Sequence, residues 1–175
     1  MRNWDSLLNN DTLGNSTLND PVCPQESDYN DAKDVADVLG LELLRSDYVE
    51  EYWDQVFRNF IEEYSRGRTP NPDILCNKYI KFDAFFRHGA DLGYDTIATG
   101  HYARVADGAL FKGLDPNKDQ SYFLAQVARE RFMNTLFPLG ELTKPEVRRI
   151  ARELNVVGLM NMQYAIEDDT VYVLE

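Results

Sequence analysis

The chain has 175 residues, 43% apolar and 12% aromatic, enough to bury a core and too apolar for a disordered segment. A formal charge of -12 speaks against binding a polyanion over the whole surface. No run approaches the ~20 apolar residues of a membrane span, and two cysteines, Cys23 and Cys76, cannot build a disulfide framework.

The charge is unevenly placed. Residues 1–65 hold 15 acids and 4 bases, residues 66–153 hold 14 bases and 11 acids, and the last 22 residues add four acids and no base. The centre is therefore the part free to face a polyanion. The start, Met1-Arg2-Asn3-Trp4-Asp5, turns polar at once and does not read as a signal peptide, so a reducing cytoplasm is the expected compartment. No Cys/His cluster has metal-ligand spacing, and no dedicated metal site is expected.

In chain order, residues 6–27 are rich in Asn, Asp, Ser and Thr and read as a long loop. A helical period runs from Asp28 through Ala32, Val35, Ala36 and Leu39 and stops at Gly40. Leu41 to Leu44 suits a short buried strand. From Val49 to Tyr64 a second helix is expected, with Trp53, Val56, Phe57, Phe60 and Ile61 as its core stripe. Arg66 to Pro72, with Gly67, Pro70 and Pro72, reads as a rigid loop. The spacing of Ile80, Phe82, Phe85 and Phe86 predicts a helix over Tyr79 to Leu92. Tyr94 to Thr99 is a strand ended by Gly100-His101, Ala109 to Gly113 a hairpin strand, and Gln120 to Val127 a helix. Thr143 and Glu146 have capping-box spacing and open a helix that runs to Leu154. Met160 to Ile166 and Thr170 to Leu174 are strand-like. The alternation predicts an α/β fold around a parallel sheet, in which loops at the carboxyl ends of strands, such as Gly100-His101, line the ligand crevice.

Few residues are placed for chemistry. Cys76 precedes the expected helix at Tyr79, with Lys78 and Lys81 one turn in, where a thiolate is favoured. Asp73, three residues earlier, suits acid/base work or holding the loop. On spacing alone, a small buried thiol and a helix cap fit this pair better than chemistry does. His101 reads equally as a ligand contact and as a structural histidine, and mid-helix His88 as a solvated one. Lys118-Asp119-Gln120-Ser121 is a ligand-contacting loop or a helix start. Arg148, Arg149 and Arg152 touch phosphates or form a solvated face.

Several strings, in order, point further: Glu51-Tyr52-Trp53-Asp54, Gly67-Arg68-Thr69-Pro70-Asn71-Pro72-Asp73-Ile74-Leu75-Cys76-Asn77-Lys78, Ala98-Thr99-Gly100-His101-Tyr102-Ala103-Arg104, Asp115-Pro116-Asn117-Lys118-Asp119-Gln120-Ser121-Tyr122-Phe123-Leu124 and Phe137-Pro138-Leu139-Gly140-Glu141-Leu142-Thr143-Lys144-Pro145. With Met1 to Asp5 they resemble the tRNA-specific 2-thiouridylase (MnmA/TrmU) family over residues 1 to about 154. The resemblance implies an adenine-nucleotide α-hydrolase-like, Rossmann-like fold of the ATP pyrophosphatase type. It implies ATP, with Mg²⁺ accompanying it, activating the C2 oxygen of a tRNA uridine that a persulfide sulfur then replaces. A persulfide sulfur-relay protein is the implied partner, with no membrane involved. Cys76 matches the family's nucleophile. Asn71, Pro72 and Asp73 match positions approaching the target base, and Met1 and Gly100 positions lining ATP. His101, Lys118, Asp119 and Gln120 match tRNA-contacting positions. The family's first strand and its Ser-Gly-Gly-Val-Asp-Ser phosphate loop fall before Met1, and its second cysteine falls beyond the resemblance. The expectation is a truncated catalytic domain, either active in sulfur transfer or a catalytically inactive tRNA-binding remnant.

Residues 155–175 form a separate, strand-rich tail. From Val156 to Glu175 they resemble a fragment of the ATP-grasp domain of the carbamoyl-phosphate synthase large subunit, in which Gln163 and Glu175 would match Mg²⁺-binding positions. About 20 residues are too few to build that fold.

Overall fold

A proline without an N–H can open a helix but not continue one, and the first helix begins there. In the computed structural model, which describes residues 24–153, 163–167 and 170–174, and side chains from 28 to 153, α1 spans Pro24–Leu39. The end of the expected loop is therefore helical, and α1 starts four residues before Asp28. Ala32, Val35, Leu41 and Leu43 form a small apolar cluster that seats α1 on strand β1, Leu43–Leu44.

Two long helices follow, each wound unevenly. Helix α2 comprises α-helical Val49–Tyr52, π-helical Trp53–Phe57 and α-helical Arg58–Ser65. Helix α3 comprises α-helical Pro72–Leu75, π-helical Cys76–Ala84 and α-helical Phe85–Asp91. The two π-wound segments touch each other. Such widened turns cost regular hydrogen bonding and gather at functional sites.

The core is built on α3. Ile80, Phe82 and Phe85 are fully buried with Val56, Ile97 and Leu124, while Phe86 is half-buried and carries the Arg131 guanidinium 4.7 Å above its ring. The expected Trp53/Phe57/Phe60 core stripe is corrected. Trp53 is 37% exposed, Phe57 and Phe60 are half-buried, and the rings run Trp53–Phe57–Phe60–Tyr64 as a ladder 4.9 to 6.1 Å apart. The helix carries two apolar stripes at i, i+4 spacing. The one facing inward is Tyr48, Tyr52 and Val56.

Strand β2, Thr96–Thr99, runs in parallel to β5, Thr135–Leu136. Between them in sequence come the hairpin β3, Ala103–Ala106, with β4, Ala109–Lys112, a 3₁₀ turn at Ser121–Leu124, and the short helix α4, Arg129–Phe132. The helix expected from Gln120 to Val127 is thus reduced to one 3₁₀ turn. Helix α5 is Lys144–Glu153 and opens on the capping box: Thr143 N–H and Oγ1 both donate to Glu146 Oε2 at 2.7 Å.

Strands β6, Gln163–Glu167, and β7, Thr170–Leu174, form an antiparallel hairpin inside the main sheet, whose order is β1-β7-β6-β2-β5. β7 runs parallel to β1, and β6 antiparallel to β2. The parallel sheet is therefore interrupted by one reversed strand, and the tail lies in the middle of the sheet rather than beside it.

Candidate active site

The loop between α2 and α3 is held at both ends. Gly67 takes φ +74, a left-handed turn that side chains disfavour, letting Arg68 N–H reach back to Glu63 O at 3.0 Å. Glu63 then grips two arginines, Arg66 Nη1 at 2.9 Å and Arg68 Nη1 at 2.7 Å. The Arg68 hydrogen bond, partly offset by burial and joined by Arg66, holds the Glu63 carboxyl below its usual range.

Beyond this clamp Asn71 caps α3: its Oδ1 accepts Asp73 N–H at 3.0 Å, and Pro72 takes the first helical position. The cap role suggested for Asp73 belongs to Asn71. Asp73 is exposed, and among the described residues its carboxylate makes no hydrogen bond or ion pair. Cys76, one turn on, is in no disulfide and is buried. It lies inside α3 rather than before it, because the helix starts at Pro72, seven residues ahead of Tyr79. Asn77 is 3% exposed; its Nδ2 donates to Asp73 O at 2.9 Å, and among the described residues its buried Oδ1 has no hydrogen-bond partner. Tyr52 faces this turn from α2. Burial raises the pKa of its phenol first, and the charges of Cys76 and Asp73 raise it further. The expected cations diverge: Lys78 Nζ rests over the Tyr79 ring at 4.7 Å, and Lys81 acts on His101.

His101 is buried. Its Nδ1 is hydrogen-bonded to Thr99 Oγ1 at 2.7 Å, and its ring lies 5.9 Å from Phe82 and 6.0 Å from Phe137. Desolvation, with the Lys81 charge, drives its pKa down to about 3, so it is a neutral ring at physiological pH. His88, expected to be solvated, is half-buried with an edge contact to Tyr48. Gly100, between Thr99 and His101, is exposed at the carboxyl end of β2; a side chain there would meet only Leu139, at 3.9 Å. Gly100 thus leaves an open approach at the position where such sheets line a ligand crevice. Met1 and Glu175 lie outside the described residues, as does the side chain of Gln163.

The loop with Lys118, Asp119 and Gln120 is braced from within. Asp119 accepts Gly113 N–H at 3.0 Å, Ser121 N–H at 3.2 Å and Ser121 Oγ–H at 3.0 Å. These bonds outweigh its burial and keep its carboxyl below the usual range. Gln120 Oε1 accepts Tyr102 N–H at 2.9 Å, while Gln120 N–H donates to Tyr102 O at 2.9 Å. Lys118 alone of the three is exposed. The 3₁₀ turn after this loop packs on both the first α-helical and the π-wound parts of α3. Three segments thus adjoin: the Asn71–Asn77 helix start, the β2 end and the Lys118–Gln120 loop.

Sequence reasoning passed over Asp115, Asn77 and Tyr52. Buried Asp115 accepts Asn117 N–H and Lys144 N–H, both at 2.9 Å, tying the loop to the start of α5. Asp-Pro-Asn is an Asx-turn signal that points to the first of these bonds. Among the described residues no group of His, Cys, Asp and Glu gathers as a metal site, and no helix is long and apolar enough to cross a membrane.

Residues 1–165 match the family model described as the tRNA methyl transferase HUP domain. The chain belongs to this family. Its fold is accordingly the HUP, adenine-nucleotide α-hydrolase-like type anticipated above. Among curated relatives, proteins named tRNA-specific 2-thiouridylase MnmA are 60% identical over 158 residues in Mycoplasmopsis synoviae, 56% over 157 in Mycoplasmopsis pulmonis and 59% over 158 in Metamycoplasma arthritidis. Each alignment covers about 90% of this chain. The chain spans about 42% of each relative's length.

Proposed function

We propose that the chain is part of a tRNA-uridine thiolation domain, with Asp73 and Cys76 at the reacting centre. The observation that carries this is the division of labour at the start of α3: Asn71 does the capping, leaving the Asp73 carboxylate exposed one turn from the Cys76 thiol. Relatives at 52–60% identity are named for 2-thiouridine formation, which favours thiolation over the methyl transfer in the family model's description.

In this reading the target uridine approaches Asn71, Pro72 and Asp73, and the exposed carboxylate moves a proton at the base. Cys76 acts as the nucleophile through its thiolate. ATP, taken with its Mg²⁺ beside Gly100, supplies the phosphate ester that makes the C2 oxygen a leaving group. The outer sulfur of a relay protein's persulfide bonds C2 as AMP leaves. The Cys76 thiolate then attacks the inner sulfur to release 2-thiouridine with formation of a disulfide, and thiols of a reducing cytoplasm return that disulfide to the starting state. Neutral His101 and the braced residues Asp119 and Gln120 shape the wall that the tRNA meets, and Lys118 presents a cation to it. Residues 1–154 make the catalytic domain, and 155–175 are a tail of separate origin that serves the sheet.

A second reading, a tRNA-binding module without chemistry, is favoured by the burial of Cys76. Mass spectrometry of tRNA digested after incubation with the chain, ATP and a persulfide donor separates the two. Thiolation expects 2-thiouridine; bound tRNA with no 2-thiouridine leaves the second reading. Product that appears with S-adenosylmethionine and without ATP overturns both.

A further inference from the structure

Helix α5, Lys144–Glu153, contains four cations, Lys144, Arg148, Arg149 and Arg152, and two acids, Glu146 and Glu153. Its excess of two makes up most of the excess of three in the stretch 66–153, so the positive character of an otherwise acidic chain is concentrated on α5. At 100° per residue, Lys144, Arg148, Arg152 and Arg149 follow one another around one side of the helix. Half-buried Val147 and Ala151 face the body, and Glu146, Ile150 and Glu153 lie on the remaining side.

These arginines differ from the rest. The other eight described arginines each have a partner: Arg45 lies over Tyr29; Arg58 pairs with Asp54; Arg66 and Arg68 share Glu63; Arg87 and Arg131 share Asp83; Arg104 bonds Glu141; Arg129 bonds Asp107 O. Arg148, Arg149 and Arg152 are exposed and, among the described residues, form no ion pair or hydrogen bond. The face is also continuous with the candidate site. Asp115 fixes Lys144 N–H against the loop that carries exposed Lys118, and Lys144 Nζ lies 5.6 Å from the Tyr102 ring beside His101.

We propose that the Arg148, Arg149 and Arg152 face of α5, flanked by Lys144 and Lys118, docks the phosphate backbone of tRNA. This rests on the tRNA reading above and extends its contact surface one helix beyond the Lys118–Gln120 loop. Unpaired guanidiniums on a rigid helix suit phosphate oxygens, and each contact releases condensed counterions.

The test is binding of an unmodified tRNA transcript to the full chain between about 50 and 300 mM salt. Replacing the three arginines with glutamine (Arg148→Gln, Arg149→Gln, Arg152→Gln) is expected to weaken binding at least ~10-fold at low salt and to flatten the log–log salt slope by about 2. Lysine at the same positions keeps the charge and is expected to retain binding within ~3-fold. Arg58→Gln with Arg87→Gln, which leaves α5 untouched, is expected to bind as the parent does. If the parent binds tRNA and the glutamine variant matches it in affinity and slope, the inference fails and the tRNA reading stands. Lysine failing as badly as glutamine, or polyglutamate competing as well as RNA, likewise overturns it. If the parent binds no tRNA, the reading and the inference fall together.

Discussion

At the residue scale, the start of α3 divides two roles: Asn71 caps the helix, and the Asp73 carboxylate is left exposed one turn before Cys76. Spacing could not say whether Asp73 or Asn71 caps α3, because both have the side-chain oxygen a cap requires. The distinction comes from Asn71, whose extended backbone (φ -105, ψ 103) points its oxygen at Asp73 N–H. Asn71→Ala is expected to cost ~1 kcal/mol of stability, measured by denaturant unfolding. His101 illustrates the same limit: its position after a strand was visible, its desolvation was not. Its folded pKa of about 3 lies below the unfolded 6.5. Below pH 6.5 the unfolded chain takes up a proton that the native state refuses, so stability is whole above about 6.5 and drains as pH falls toward 3, by up to about 5 kcal/mol. His101→Gln is expected to remove the part of the acid sensitivity lying between pH 6.5 and 5, as read from denaturant midpoints at several pH values. The carboxylates held low, among them Glu63, Asp115, Asp119 and Glu146, account for further loss at lower pH.

At the element scale, helix starts were easier to read than helix winding. The Thr143/Glu146 spacing located the start of α5 correctly, and Gly40 the end of α1. No apolar period signals a π turn, so the spacing predicts a regular helix through Trp53 to Phe57; of its expected core stripe Val56 is buried, while Trp53 and Ile61 are exposed. The hairpin β3–β4 offers a direct check on close packing. A side chain at Gly140 would overlap the Ala103 carbonyl oxygen of β3, and the Gly140 carbonyl accepts Leu114 N–H at 2.8 Å. Gly140→Ala is expected to destabilise the fold by ~1–3 kcal/mol, because backbone rather than a flexible side chain must yield. Unchanged thermal unfolding would show that the two segments are less tightly apposed.

For the whole molecule, alternating helices and strands were enough to give the α/β class, and the family resemblance of the motif strings implied the HUP lineage, but neither gave the order of the sheet. The register of a strand contributed from residue 163 onward depends on which edges the earlier strands leave open, and β1 and β2 are distant in sequence from it. The hairpin β6–β7 takes two places between them. Ending the chain at residue 154 is therefore expected to leave β1 and β2 with unpaired edges, lowering the unfolding midpoint and promoting association visible in size-exclusion chromatography. A monomer with an unchanged midpoint would show the hairpin to be dispensable. The same scale holds the central claim, that these elements converge to present a tRNA uridine to Cys76. The most direct measurement is 2-thiouridine in tRNA digests after incubation with ATP and a persulfide donor, comparing the chain with its Cys76→Ser variant. The expected result is 2-thiouridine from the unaltered chain and none from the variant; equal amounts from the two, or none from either, would contradict it.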